Sequence, residues 1–372
     1  MNILCSYQKE RAGGETDRAF KERGIRMYLS EGKKELIFEP EFLQGNICHA
    51  SNVCLMGEGR IGAVWFAGKK EGQADVSIWK SIRRDGRWSK PVMAAHDVEE
   101  AHWNPVLYRR QDNKVLLLYK VGNEISRWYT KVRISEDGGE SFGEARELVP
   151  GDRGGRGPVR CKMITLSDGS ILAGMSTENG IWTAYADRSP DGGESWERSN
   201  PIGLNVVYEG ENTAASSRIQ GSEQSFYGRG VIQPTLWESA QGEVHMLLRS
   251  SEGQIYRADS ADYGKSWGSA YPTGLPNNNS GIDVVRCEDG LLFLCMNPVG
   301  ENWGKRTPIV LLASADNGET WQEEAVLENT PGEYSYPSII ADGRKIYVTY
   351  TFDRKSICGR RMAGDADTLY GS

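Results

Sequence analysis

A short motif recurs along this chain at nearly constant spacing. Ser135-Glu-Asp137-Gly-Gly139-Glu-Ser-Phe142 returns as Ser189-Pro-Asp191-Gly-Gly193-Glu-Ser-Trp196. It returns again as Ser260-Ala-Asp262-Tyr-Gly264-Lys-Ser-Trp267 and as Ser314-Ala-Asp316-Asn-Gly318-Glu-Thr-Trp321. A degenerate copy, Ser81–Trp88, keeps Asp85, Gly86 and Trp88. The closing aromatics stand at 88, 142, 196, 267 and 321, spaced by 54, 54, 71 and 54 residues. One unit is thus 54 residues, and the third interval carries 17 more. Self-similarity at such a period is the mark of a repeat architecture. The aspartate can accept hydrogen bonds from turn N–H groups, glycine supplies positive φ, and the aromatic packs beneath the turn. Each copy therefore predicts a rigid hairpin.

A second turn signal runs in phase with the first: Glu58-Gly59, Asp112-Asn113, Asp168-Gly169, Gln241-Gly242, Asp289-Gly290 and Asp342-Gly343. Each precedes an apolar run of strand length, such as GRIGAVWFA, NKVLLLYKV or GEVHMLLRS. Helical periodicity is confined to residues 15–23. Six units of short strands predict an all-β, six-bladed β-propeller. An N-terminal strand, from RMYLS or KELIFEPE, is expected to complete the sixth blade. The predicted organisation is an N-terminal extension over 1–24 and one propeller domain over 25–372. The repeated Asp, Gly and Trp residues are read as scaffold at the blade edges, away from the axis where propellers bind ligands.

Composition narrows the function. A net charge of −7 gives no reason to expect a nucleic-acid partner or an anionic membrane surface. No apolar run approaches a membrane span, and the first residues lack a secretory signal pattern. A cytoplasmic location is expected. The seven cysteines are scattered and form no C-x-x-C pair, so reduced, mostly buried thiols are expected rather than a disulfide framework or a zinc site. No metal-ligand run is visible, and no cofactor is expected. P-loop, G-x-S-x-G and H-E-x-x-H patterns do not occur.

The pattern Ser-x-Asp-x-Gly-x-Thr/Ser-Trp is the Asp-box, and over roughly residues 45–360 the chain resembles the sialidase (neuraminidase) superfamily. The resemblance implies an axial active site and retaining hydrolysis. It implies a Tyr/Glu nucleophilic couple, an aspartic acid/base and three arginines on the substrate carboxylate. A neutral phenol, unlike a carboxylate, is not repelled by an acidic sugar, and tyrosine nucleophiles are a recognised exception among glycosidases. Tyr334, in Gly332-Glu-Tyr-Ser-Tyr-Pro337, resembles that nucleophile, with Tyr336 as the alternative. Arg249, ending VHMLLRS, and Arg306, in Lys305-Arg-Thr-Pro, resemble two members of the triad, because guanidinium forks match carboxylate geometry.

Two positions depart from the family. Gln233 stands where the resemblance implies the glutamate that activates the tyrosine, and His49 stands where it implies the first arginine. His49 can act as an acid or base near neutral pH. His102, opening the second blade, is a further candidate. Glu71, before Gly72, is the expected acid, with Asp75 the runner-up. Trp103 is a candidate sugar platform, Asn104 a polar contact, and Arg160 and Lys162 candidate replacements for the missing arginine. The expected partner is an acidic sugar or oligosaccharide. The expected activity is hydrolysis of a terminal carboxylate-bearing sugar. The alternatives are a His-dependent lyase or hydrolase at uronate linkages, and a non-catalytic glycan-binding propeller.

Overall fold

A computed structural model describes residue 29, residues 32–204 and residues 228–364. The extension over 1–24 and the short helix over 15–23 lie outside the described residues, as does the stretch 205–227 within the long third interval.

Strand pairing follows the repeat. Each unit begins with an inner strand and meanders outward through antiparallel neighbours. The inner strands are Ile47–Gly57, His102–Arg109, Ile164–Thr165, Arg229–Ala240, Asp283–Arg286 and Tyr334–Asp342. The apolar runs after the second turn signal form the second strands: Arg60–Gly68, Val115–Val121, Ile171–Asn179, Glu243–Ser250, Leu292–Met296 and Lys345–Phe352. Units three and four are joined by a short parallel contact, Ile181 opposite Arg229 and Trp182 opposite Gly230. The ring closes as the sequence predicts: Lys33–Leu36 pairs with Ser356–Ala363 as the outer strand of the sixth blade.

Hydrophobic clusters lie at the interfaces between successive blades. Val64, Phe66, Leu107 and Leu117 join blades one and two, and Val106, Leu118, Met163 and Ala173 join two and three. Leu172, Ala184, Leu236 and Met246 join three and four; Trp237, Leu247, Val284 and Leu294 join four and five. Phe293, Leu311, Ile339 and Val348 join five and six, while Cys48, Trp65 and Ile357 join six to one. Six buried seams, rather than one central core, hold the ring. Burial of apolar area at about 25 cal/mol per Å² is the main favourable contribution at each seam.

The Asp-boxes fold as their chemistry requires. In the first full copy Asp137 Oδ1 accepts from Ser141 N at 3.0 Å and from Ser135 Oγ at 2.6 Å, and Ser135 Oγ accepts from Gly139 N at 2.7 Å. The same pattern recurs around Asp191, Asp262 and Asp316. Trp196, Trp267 and Trp321 each donate their indole N–H to the carbonyl of the box glycine.

The axis is built differently. Four inner strands carry a β-bulge at the same place, between His49 and Asn52, Trp103 and Val106, Ile232 and Thr235, and Ser335 and Ser338. Within these bulges Ala50, Asn104, Gln233 and Tyr336 take positive φ, and Arg160 and Asn279 do so at the entrance of blades three and five. Non-glycine residues in this region are strained by about 1–3 kcal/mol each and cluster at functional sites. Bulges re-aim side chains, and three of these residues, Asn104, Gln233 and Tyr336, line the axial cavity.

Below that layer, buried polar groups tie the blades together. Asp283 accepts from Lys162 Nζ at 2.9 Å, Thr235 Oγ1 at 2.5 Å and Ile339 N at 2.9 Å, so blades three, four, five and six meet at one carboxylate. Arg160 donates to the Pro337 carbonyl at 2.5 Å and to that of Ile282, and its own carbonyl accepts from Asn52 Nδ2 at 3.2 Å.

Candidate active site

All six blades contribute to one cavity, which places it on the axis. Blade one gives Glu71, blade two Trp103, Asn104, Ile125 and Trp128, and blade three Glu178 and Trp182. Gln233 and Arg249 come from blade four, Trp303 and Arg306 from blade five, and Tyr336 and Arg354 from blade six.

Tyr336 is the tyrosine of this lining. In a regular strand residues two apart share a face, so Tyr334 and Tyr336 would point the same way. The bulge between Ser335 and Ser338 and the φ of 53° at Tyr336 break that alternation. Tyr334 instead packs in the seam between blades five and six, its ring 5.2 Å from Phe352 and its hydroxyl 2.8 Å from Thr330 Oγ1. The structure therefore corrects the first assignment: of the two tyrosines, Tyr336 faces the cavity. Its hydroxyl accepts from Arg249 Nη1 at 2.5 Å. The guanidinium groups of Arg249, Arg306 and Arg160 lie 5.6, 5.4 and 5.6 Å from its ring centroid, within cation–π range.

Arg249 and Arg306 both line the cavity, as the acidic-sugar reading requires. Arg249 donates Nε to Asn279 Oδ1 at 2.7 Å and Nη1 to Gln233 Oε1 at 3.2 Å. Arg306 Nη1 bonds Glu333 at 2.8 Å. A third arginine, not anticipated, is Arg354. Its Nη1 donates to Glu71 at 2.8 Å and its Nε to Glu333 at 2.9 Å. Burial pushes the Glu333 carboxyl up, but the two arginines outweigh it and hold the group below the usual range. Three guanidinium groups thus face the cavity, with Glu333 paired to two of them from beside it.

His49 does not line the cavity. It is 1 % exposed and packs behind Tyr336, ring centroids 4.1 Å apart. Arg354 Nη2 can only donate, so Nε2, at 3.4 Å, is the acceptor and Nδ1 carries the hydrogen toward Thr351 Oγ1 at 2.9 Å. Burial drives its pKa well below 6.5, reinforced by Arg354, Arg306, Arg249 and Arg160. A buried neutral imidazole behind the ring positions Tyr336 rather than meeting a ligand.

Four other candidates lie off the cavity lining. Asp75 caps the blade-one hairpin, accepting from Lys69 N at 2.9 Å. His102 stacks on Tyr119 and bonds the Glu100 carbonyl. Lys162 is spent on Asp283 and the Val284 carbonyl, and Arg160 lies fully buried beneath Tyr336. Glu71, Gln233, Trp103 and Asn104 are in the lining as expected.

Sequence reasoning missed Arg354, Glu178, Trp128, Trp182 and Trp303. A signal was present for some of them: the link between second and third strands. That link carries Glu71 in blade one, Trp128 in blade two, Trp303 and Arg306 in blade five and Arg354 in blade six. Glu178 sits at the end of a second strand, as Arg249 does one blade later. Burial raises the Glu178 carboxyl to about 7, against the opposing pull of Arg249 and Lys120.

The fold has known counterparts. A protein of unknown function from Dyadobacter fermentans superposes with a TM-score of 0.71 at 16% identity, over 91% of this chain and 99% of that one. A Hadza microbial sialidase gives 0.67 at 16% identity, over 85% of this chain and 65% of that one. The NanB sialidase of Streptococcus pneumoniae gives 0.67 at 12% identity, over 90% and 71%. No curated protein sequence matches the chain. The model of the BNR repeat-like domain matches residues 59–348. With Asp-boxes closing successive blades and most of its length inside that match, the chain belongs to the BNR repeat-like family and shares the propeller fold of the sialidases.

Proposed function

We propose that this protein is a retaining glycoside hydrolase of sialidase type, releasing a terminal sugar that bears a carboxylate. The supporting observation is that Arg249, Arg306 and Arg354 line one cavity with Tyr336, whose hydroxyl accepts from Arg249, together with two carboxylates and four tryptophans. Guanidinium forks would clamp the sugar carboxylate. The tryptophans would cover apolar faces of the sugar and of the group it leaves. Tyr336 would attack the anomeric carbon, its neutral phenol suited to an acidic substrate. Glu71 would protonate the departing oxygen. The incoming carboxylate competes for Arg354, which frees Glu71 from its ion pair and puts a second negative charge beside it.

The lyase alternative depended on His49 as the working base, and its place behind Tyr336 removes that support. The test is a panel of 4-methylumbelliferyl and natural acidic glycosides, with NMR of the released sugar. Hydrolysis with net retention at the anomeric carbon is expected. A product with a new conjugated double bond, or no turnover of any acidic glycoside, overturns the reading.

A further inference from the structure

Tyr336 and Glu178 present complementary unmet hydrogen-bonding groups to one cavity. The phenol oxygen of Tyr336 accepts from Arg249, and no protein acceptor stands within bonding distance of its own hydrogen among the described residues. The residue beside it, Gln233, is an amide, and its oxygen already accepts from Arg249. An amide cannot take up a proton. Glu178 lines the same cavity, is 6 % exposed, and its Oε1 has no hydrogen-bond partner. A buried, unpaired carboxylate oxygen costs several kcal/mol unless the site uses it.

We propose that Glu178, on blade three, is the base that takes the phenolic proton of Tyr336, across the cavity through one bridging water. This rests on the hydrolase reading and adds a residue to it. As Tyr336 Oη bonds the anomeric carbon, its proton passes to Glu178 Oε1. The glycosidic C–O bond breaks with its electron pair on the departing oxygen, which takes a proton from Glu71. In the second half, water attacks the anomeric carbon and gives its proton to Glu71. The bond to Tyr336 breaks, and Glu178 returns the proton to the phenol. Both carboxyl groups end as they began.

The surroundings suit an exchangeable proton. Arg249 faces Glu178 from blade four, Lys120 from blade two and Glu71 from the blade-one hairpin, while Ser176 bonds it from its own strand. Lys120 is itself buried and donates to Thr130 Oγ1 and to the carbonyls of Gly155, Arg156 and Gly157. Burial lowers that ammonium to about 7, so the nearest cation outside the arginines is itself only partly charged near neutral pH.

The test uses the full chain and two sialosides, one with a good and one with a poor leaving group. Glu178→Gln should lower kcat/KM by about 10²–10⁴-fold, the usual worth of a general base. The loss should be equal for both substrates, because the base serves the nucleophile. The wild-type rate should rise with pH through about 7, and the variant should lose that limb. A loss of only a few fold, a loss confined to the poor leaving group, or an unchanged limb overturns the proposal while leaving the hydrolase reading intact. Equal thermal unfolding of the two proteins excludes a folding defect, and Glu178→Asp should recover part of the rate. If the wild type cleaves no sialoside, the hydrolase reading fails by itself. The infrared difference between wild type and Glu178→Gln then decides whether a protonated carboxyl is lost near neutral pH, and its absence overturns the assignment of Glu178 as a proton carrier.

Discussion

Arg249 Nη1 donates to Tyr336 Oη across 2.5 Å, and the two residues come from second and first strands of blades two apart in the ring. Closure of the propeller is what brings them together. Tyr336→Phe should abolish turnover by several orders of magnitude, since the attacking oxygen is gone while the ring and its cation–π neighbours remain. Tyr334→Phe should leave kcat within a few fold and cost about 0.5–1.5 kcal/mol of stability, because it removes only the bond to Thr330. Steady-state kinetics on the pair decides the matter. An active Tyr336→Phe with an inactive Tyr334→Phe would restore the first assignment.

Arg249 and Arg306 should differ in what their loss does. Arg249 holds Asn279, Gln233 and Tyr336 at once, so Arg249→Ala should lower kcat as well as raise KM. Arg306 touches the Tyr336 hydroxyl with nothing; its polar partners are Glu333 and Ser335. Arg306→Ala should therefore act mainly on KM, by losing one arm of the carboxylate clamp. Equal effects on kcat from both substitutions would show that the two arginines do not divide positioning from binding.

The fold was largely legible because the Asp-box and the in-phase turns have local causes. A serine, an aspartate and a glycine at fixed offsets make the same hairpin wherever they occur, and their spacing counts the blades. Part of the site was legible as well: Arg249 ends an apolar strand, and Glu71 precedes a glycine in a hairpin. Tyr336 was harder. Its direction depends on a bulge that breaks the two-residue period, and that period favours Tyr334 equally. Arg354 sits in a hairpin turn, at Asp353 and Arg354 with φ of 52° and 53°, where a charged residue reads as solvent-facing until its partners Glu71 and Glu333 are placed by ring closure. Lys162 and Arg160 misled for the opposite reason: cations near the axis are also used to pin blades.

That pinning gives a stability prediction. Asp283 is fully buried and joins Lys162, Thr235 and the Ile339 amide. Asp283→Asn keeps the volume but removes the charge, and its amide cannot accept from all three donors. Breaking one side of a buried ion pair typically costs about 3–5 kcal/mol. Urea unfolding should show that loss with an unchanged m-value, whereas Asp75→Asn, in a hairpin on the surface, should cost under about 1 kcal/mol. A loss at Asp283 as small as that at Asp75 would mean that the axial carboxylate does not tie the blades together.

Acid should weaken the protein partly through His49. Its folded pKa lies well below 6.5, first through burial and then through Arg354, Arg306, Arg249 and Arg160. Below pH 6.5 the unfolded chain binds a proton there that the folded protein does not, so stability falls as pH falls. The loss begins near pH 6.5 and continues down to the folded pKa, at up to about 1.4 kcal/mol per pH unit for one such group. His102, which burial lowers to about 4, adds to the same slope and stays in place when His49 is replaced. Unfolding free energies of wild type and His49→Gln, measured through this acid range, should diverge. The variant should show the shallower decline, because a glutamine amide can still bond Thr351 and accept from Arg354 but takes up no proton. Parallel curves for the two proteins would mean that His49 is charged in the folded state, and its assignment as the neutral support of Tyr336 would fall.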